Sequence, residues 1–168
     1  MSFDTGFVKD AFREKVFMAI HYVTGDATAP IGDGNKIVAY VCNDVGAWGA
    51  GFVLAVSKRW PEPKADYLKS AHSLKLGEGS FIKVEPGVWV ANMIAQRGIR
   101  TLDGVPPIRY DALRLCLGKL DLKARKLQAT IHMPRIGCGL AGGKWSSVEP
   151  LIREALLNTE VFVYDLPH

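Results

Sequence analysis

The sequence holds no apolar run near the ~20 residues that a bilayer-spanning helix requires, so no membrane partner is expected. Its first residues lack the basic stretch followed by an apolar stretch that marks a secretory signal, and Asp4, Asp10 and Glu14 speak against a transit peptide. Cysteine is scarce. Cys42, Cys116 and Cys138 are an odd number without metal-ligand spacing, which suits free thiols in a reducing cytosol and not a disulfide framework. His21, His72, His132 and His168 also lack such spacing, so neither a metal nor another cofactor is expected. No internal repeat, linker or low-complexity tract interrupts the chain. These absences lead to the expectation of a cytoplasmic protein.

What is present is ordinary for one globular domain. The 168 residues fit a single unit at about 150 residues per domain and bury roughly 70% of the unfolded surface. Hydrophobic residues make up 48% and charged residues 23%, so the chain is neither disordered nor fibrous. A net charge of +4 favours an anionic ligand without singling out nucleic acid. The densest basic run, Lys119 to Lys126, is interrupted by Asp121 and reads as a solvated helix face.

The apolar spacing predicts alternating strands and helices. Phe3, Phe7, Phe12 and Val16 suggest an amphipathic lead-in helix over residues 1–17. Strands are expected at Met18–Thr24 and Lys36–Cys42, and helices at Phe52–Trp60 and Pro63–Leu74. Ser80–Glu85 and Val88–Ile94 read as strands joined by the turn Pro86-Gly87. Pro106-Pro107 is expected to open a long helix whose stripe is Leu113, Cys116, Leu117, Leu120, Ala124 and Leu127. A strand over Ala129–Pro134 follows, then a helix opened by a Ser146–Glu149 capping box, then a strand over Val161–Leu166. The reading is an α/β domain with a mixed sheet covered by helices on both faces.

Two glycine-rich loops carry the most information. Met133 through Trp145 holds four glycines and no acidic side chain, between an apolar strand pattern and a helix pattern. Such a loop offers bare N–H groups at a helix N-terminus, where hydrogen bonds and the helix dipole both favour an anion. Asn43 through Gly51 is a second loop of the same kind, so a ligand with more than one phosphate is expected. Gly137 to Gly142 matches G-x-G-x-x-G literally, but a dinucleotide fold places that motif in its first βαβ unit with an acid about 20 residues on. The bland alternative is a glycine turn without a ligand.

Together these residues resemble a macrodomain, the ADP-ribose-binding module, over residues 18–166. The matching elements are Gly25-Asp26-Ala27-Thr28, Asn43 through Gly51, Met133 through Leu140, and Val161-Phe162-Val163-Tyr164. Trp48-Gly49-Ala50-Gly51-Phe52 and Arg135 through Leu140 resemble the branch of the terminal ADP-ribose protein glycohydrolase, the yeast ADP-ribose-1″-phosphate phosphatase and the antitoxins that strip ADP-ribose from DNA. Val90 through Arg100 resembles a bacterial subgroup. The resemblance implies a three-layer α/β/α fold with a mixed, mostly parallel six-stranded sheet, and a single macrodomain spanning residues 1–168.

It also implies roles. Asp26 would accept from the adenine amino group and the Ala27 N–H would donate to the ring. Gly49, Ala50 and Gly51 would line the diphosphate from one side, and Ile136, Gly137, Cys138, Gly139, Leu140 and Ala141 from the other. Asn43 would reach the distal ribose. Tyr164 would flank the adenine or serve as a core tyrosine, and Trp48 and Trp145 would wall the cleft or pack in the core. Arg97 would contact phosphate or the modified protein. Arg135 reads as a buried ion-pair partner in preference to a phosphate clamp, and His132 as a satisfied core histidine.

Two departures bear on chemistry. Where the human terminal glycohydrolase carries a nucleophilic lysine, this chain reads Ala95-Gln96-Arg97, and where that enzyme has an acid after Gly-Cys-Gly-Leu, this chain has Ala141. Hydrolysis of mono-ADP-ribose from Glu or Asp would therefore use water positioned by Asn43, Gln96 and a ligand phosphate, with Asp44 as candidate base. Cys138, its pKa lowered by the helix N-terminus, is the alternative nucleophile or a small loop filler. The partners implied are ADP-ribose, mono-ADP-ribosylated protein and possible ADP-ribosylated nucleic acid. The rival readings are a non-catalytic reader, and a hydrolase of ADP-ribose-1″-phosphate, O-acetyl-ADP-ribose or ADP-ribosylated DNA.

Overall fold

Strand β2 (Lys36–Asn43) shows how the layers arise. Ile37 and Ala39 point into one apolar core while Val38, Tyr40 and Cys42 point into another, so this strand is buried on both faces. The computed structural model describes residues 20–168. The helix expected over residues 1–17 lies outside the described residues. The remaining strands are β1 (Ile20–Thr24), β3 (Gly79–Glu85), β4 (Val88–Gln96), β5 (Thr130–Met133) and β6 (Val161–Asp165). The helices are α1 (Phe52–Arg59), α2 (Glu62–Lys69), α3 (Tyr110–Leu127) and α4 (Trp145–Ala155).

The six strands form one sheet in the order β1-β6-β5-β2-β4-β3, parallel throughout except for β3, which runs antiparallel to β4. Helices α3 and α4 cover one face around Leu113, Leu117, Leu120, Val148 and Ile152. Helices α1 and α2 cover the other around Val53, Val56 and Tyr67. This is the α/β/α sandwich with a mixed, mostly parallel sheet.

The order places a topological switch between β5 and β2. The chain leaving β2 crosses one face toward β4, and the chain leaving β5 crosses the opposite face toward β6. Open α/β sheets bind ligands in the crevice outside the strand ends at such a point. Both glycine loops begin there.

Three local expectations are corrected. Helix α2 ends at Lys69, before Leu74, because the Ser73 hydroxyl and N–H both turn back to the Ser70 carbonyl. Pro106-Pro107 do not open a helix. Ile108 N–H bonds Ala141 and Arg109 N–H bonds Ala95, so the segment runs extended and α3 starts at Tyr110. The Ser146–Glu149 capping box does not form. Helix α4 starts at Trp145 without a side-chain cap, and the Glu149 carboxylate accepts from Tyr22, Trp145 and Arg153 instead. Among the described residues no helix is long and apolar enough to cross a membrane, and no cluster of three potential metal ligands occurs.

Candidate functional site

The loop after β2 is organised by one side chain. Asn43 is buried, its Oδ1 accepts the N–H groups of Val45 and Ala47 at 3.1 and 3.0 Å, and its Nδ2 donates to the Ala47 carbonyl at 2.7 Å. The Tyr67 hydroxyl donates to the same amide oxygen at 2.8 Å. The chain then reaches Gly51, the N-cap of α1, with φ +82° and no side-chain cap, and no acidic residue sits in the first turn. Among the described residues the N–H groups of Gly49, Ala50 and Gly51 have no protein acceptor. A Cβ on Gly49 would meet open space.

The loop after β5 is organised by its own backbone. Cys138 N–H, Gly142 N–H and Gly143 N–H bond to Arg135, Gly139 and Gly137 carbonyls at 3.3, 3.0 and 2.7 Å. A Cβ on Gly137 would lie 2.9 Å from Ile108 and one on Gly142 2.8 Å from Pro106, while one on Gly143 would collide with the Gly137 carbonyl. These three glycines are therefore consumed by close packing. Only Gly139 faces open space, and the N–H groups of Gly139, Leu140 and Ala141 find no acceptor among the described residues.

The two loops approach each other closely enough that a Cβ on Gly51 would lie 3.5 Å from Leu140. Between and beneath them run two contiguous parts of one cleft, with cavity volumes of about 220 and 360 Å³. Val41, Ala50, Val53, Gln96 and Leu140 line both parts. Together the two parts suit a small-molecule ligand, for which about 300–1,000 Å³ is usual. Among the described residues Arg135 is the one charged residue in the combined lining. A separate hollow of about 160 Å³ beneath α2 shares no lining residue with the cleft.

The other expected residues fall out as follows. Asp26 is exposed on the turn after β1, where its Oδ1 takes both the backbone N–H and the hydroxyl of Thr28 at 2.8 and 2.7 Å. That clamp leaves Oδ2 directed by a fixed carboxylate plane. Ala27 beside it is buried. Tyr164 is also buried, with its ring beneath Gly25 and its hydroxyl between Ile31 N–H and His132 Nδ1, so it supports the turn from below. Trp48 is a core residue whose indole donates to Ser57, and it does not wall the cleft. Ile136 and Ala141 are buried, and the Ala141 methyl packs in the α3–α4 core.

Gln96 lines the cleft at the end of β4 and donates to the Gly98 carbonyl at 3.1 Å. Asp44 is absent from the lining; its Oδ1 accepts the Gly98 N–H at 2.8 Å and ties the loop after β2 to the segment after β4. Its expected role as a base therefore finds no geometric support. The expected lowering of the Cys138 pKa is also reversed, because burial pushes the thiol up and the nearby Arg135 only partly offsets this.

Arg135 is an ion-pair partner, as expected, but an exposed one. It grips both oxygens of Asp165 at 2.6 and 2.9 Å, and its guanidinium lies 5.2 Å from the ring centres of Tyr22 and Trp145. The hydrogen bond from Arg135 holds the Asp165 carboxyl below its usual range. Arg97 is exposed, with its backbone N–H on the Pro107 carbonyl. His132 is fully buried between the Thr130 and Tyr164 hydroxyls, and burial, aided by Lys36, lowers its pKa to about 4. The supporting roles of Thr28, Tyr67 and Ile99 were not anticipated. Asp26-x-Thr28 is a local turn signature that sequence spacing reveals, whereas nothing local signals Tyr67 or Ile99.

No protein-family model matches the chain. A solved protein of unknown function from Bacteroides thetaiotaomicron is 50% identical, with a TM-score of 0.87 over 89% of this chain and 99% of that one. A macrodomain protein from Streptomyces coelicolor is 49% identical, with a TM-score of 0.78 over 88% of this chain and 99% of that one. A DarTG from Thermosipho africanus, solved in complex with ADP-ribose, shares the fold at 20% identity and a TM-score of 0.68, over 89% of this chain and 42% of that one. Among curated proteins, the chromodomain-helicase-DNA-binding protein 1-like of Mus musculus is 29% identical over 94% of this chain, and that of Danio rerio 31% over 86%. The chain spans only 19% and 15% of the lengths of those two proteins.

Proposed function

The chain belongs to the macrodomain family, and we propose on that footing that its cleft binds ADP-ribose and releases it from ester-linked Glu or Asp side chains by means of an oriented water. The observation that carries the binding reading is the pair of opposed loops. Each presents three successive N–H groups without acceptors among the described residues, at the switch point of a mostly parallel sheet, in a cleft that no described carboxylate lines. A diphosphate satisfies both sets of donors at once. The fold shared with a protein solved with ADP-ribose supports the same ligand. In this reading Asp26 Oδ2 and Ala27 N–H take the adenine, and the cleft beside Asn43 and Gln96 takes the distal ribose.

Ester cleavage asks little of the protein. The leaving carboxylate has a pKa of about 4, so no general acid is needed. The requirement is a water held near the anomeric carbon and dipoles that stabilise developing charge. The Gln96 amide, the second Nδ2–H of Asn43 and a phosphate oxygen of the ligand supply that positioning. A non-catalytic reader is the second interpretation, and a specific observation favours it: among the described residues no carboxylate, imidazole or amine lines the cleft.

Incubation with a Glu-linked mono-ADP-ribosylated polypeptide, followed by measurement of free ADP-ribose, decides between the two. Release above the buffer rate supports the hydrolase. Absence of release with calorimetric ADP-ribose binding intact establishes the reader, and absence of binding rejects both.

A further inference from the structure

The segment joining β4 to α3 forms a tongue beside the cleft. Its base is closed by the Gln96–Ile108 bridge and by Arg97 N–H on the Pro107 carbonyl at 2.9 Å, and its tip by reciprocal bonds between Leu102 and Val105 at 3.0 and 2.9 Å. It is wedged between the two glycine loops. Gly98 N–H holds Asp44 on one side, and Ile108 N–H holds the Ala141 carbonyl on the other.

This backbone-locked tongue presents an unusual surface. Val45, Ile99, Leu102, Val105 and Leu140 are large aliphatic residues that are 52–69% exposed, and all sit on the tongue or the two loops it touches. Ile99 and Leu140 continue directly into the cleft wall. Exposed apolar side chains scattered singly need no explanation, but a collar of them around a ligand cleft marks an interaction site. Arg97 and Arg100 add positive charge, and neither forms a salt bridge among the described residues.

We propose that this collar docks the polypeptide that carries the ADP-ribose, gripping apolar residues beside the modified acidic side chain. The inference rests on the ADP-ribose reading above, in which the distal ribose lies at the Asn43–Gln96 end, so that whatever is attached to it emerges over the tongue. The chemistry of the collar selects a polypeptide over a nucleic acid. Single-stranded nucleic acids are held by aromatic stacking platforms in a basic groove, whereas the exposed large side chains of the tongue are the aliphatic Ile99, Leu102 and Val105. With Arg97 and Arg100 against Asp103, the tongue keeps a positive balance that suits further acidic residues flanking a modified Glu or Asp.

The test compares affinities of the full chain for three probes: free ADP-ribose, an ADP-ribosylated single-stranded oligonucleotide, and a peptide with apolar and acidic flanks carrying ADP-ribose on a glutamine amide nitrogen, a linkage without a carboxylate leaving group. The peptide is expected to bind about tenfold more tightly than free ADP-ribose. The double variant Leu102→Ser/Val105→Ser removes that gain and leaves free ADP-ribose binding unchanged, which also reports an intact fold. Equal affinity for peptide and free ADP-ribose overturns the collar while the cleft reading survives. So does a gain that persists in the double variant, or tighter binding of the oligonucleotide than of the peptide. Failure of the parent chain to bind free ADP-ribose removes the cleft reading and the collar with it.

Discussion

The two glycine loops reach the same end by different means. The loop after β2 is shaped by a side chain, Asn43, whose amide serves four hydrogen bonds. The loop after β5 is shaped by the absence of side chains, since Gly137, Gly142 and Gly143 let the backbone fold onto itself and onto the 106–108 segment. In each, a single glycine, Gly49 or Gly139, looks into open space beside a run of free N–H groups. Most of the glycine in these loops is thus a packing requirement. Anion recognition needs only the short stretch that packing leaves exposed.

The contrast predicts that the second loop tolerates no added methyl group where it is closed. Gly143→Ala drives a Cβ into a backbone carbonyl, which no rotamer change relieves, and should cost about 3 kcal/mol or more in denaturant unfolding. A loss under 1 kcal/mol would show that the loop is more pliant than its packing suggests.

The turn after β1 is a third case, resting on Tyr164 and through it on His132. Burial keeps His132 neutral in the fold with a pKa of about 4, against about 6.5 in an unfolded chain. Between those values the unfolded chain binds the proton and the fold does not. Stability should therefore fall as pH drops from about 6.5 to 4, by about 3 kcal/mol, and stay level above 6.5 as far as this group is concerned. Urea unfolding across that range measures the slope, and His132→Gln should flatten it.

For the first loop, Asn43→Ala removes a buried hub while Tyr67 keeps its bond to the residue 43 carbonyl. A loss of about 2 kcal/mol is expected, with weakened ADP-ribose binding, because the freed loop no longer aligns its N–H groups. An unchanged Kd in that variant would mean that α1 alone positions them.

The smallest effect on stability is expected at the two open glycines. Gly49→Glu and Gly139→Glu have room for a side chain and should shift stability by less than about 0.5 kcal/mol. Each should nevertheless abolish ADP-ribose binding by calorimetry, because a carboxylate competes with the diphosphate for the same donors. Normal binding in either would place the diphosphate elsewhere.

Much of the scaffold was legible from residue patterns. The apolar run Lys36–Cys42 read as a buried strand because it is too short for a helix and rich in β-branched residues, and the helical periodicity of Leu113, Leu117 and Leu120 turned that stripe to a core. Element boundaries were less legible where tertiary partners outweighed local signals. Two prolines before α3 mimic a helix start, yet the carbonyls of Ala95 and Ala141 draw that segment into extended pairing. Glu149 has capping-box spacing from Ser146, yet Tyr22 and Trp145 supply better donors. At the site, Asp44 looks like a free loop carboxylate in one dimension and is a tether in three.

Taken alone, the sequence determined the alternation of strand and helix, the two glycine loops and the absence of any acidic side chain from the second of them, Met133 through Trp145. Those properties are local, set by side-chain size, periodicity and the bare presence of a residue. The tertiary structure decided which glycines are spent on packing, which N–H groups stay free, and that Trp48, Tyr164 and Asp44 support the cleft without lining it. These follow from the order in which the strands assemble, which brings the ends of β2 and β5 side by side and sets the 97–105 tongue between their loops. Contacts of that range depend on close packing between segments far apart in the chain, and no local pattern encodes them.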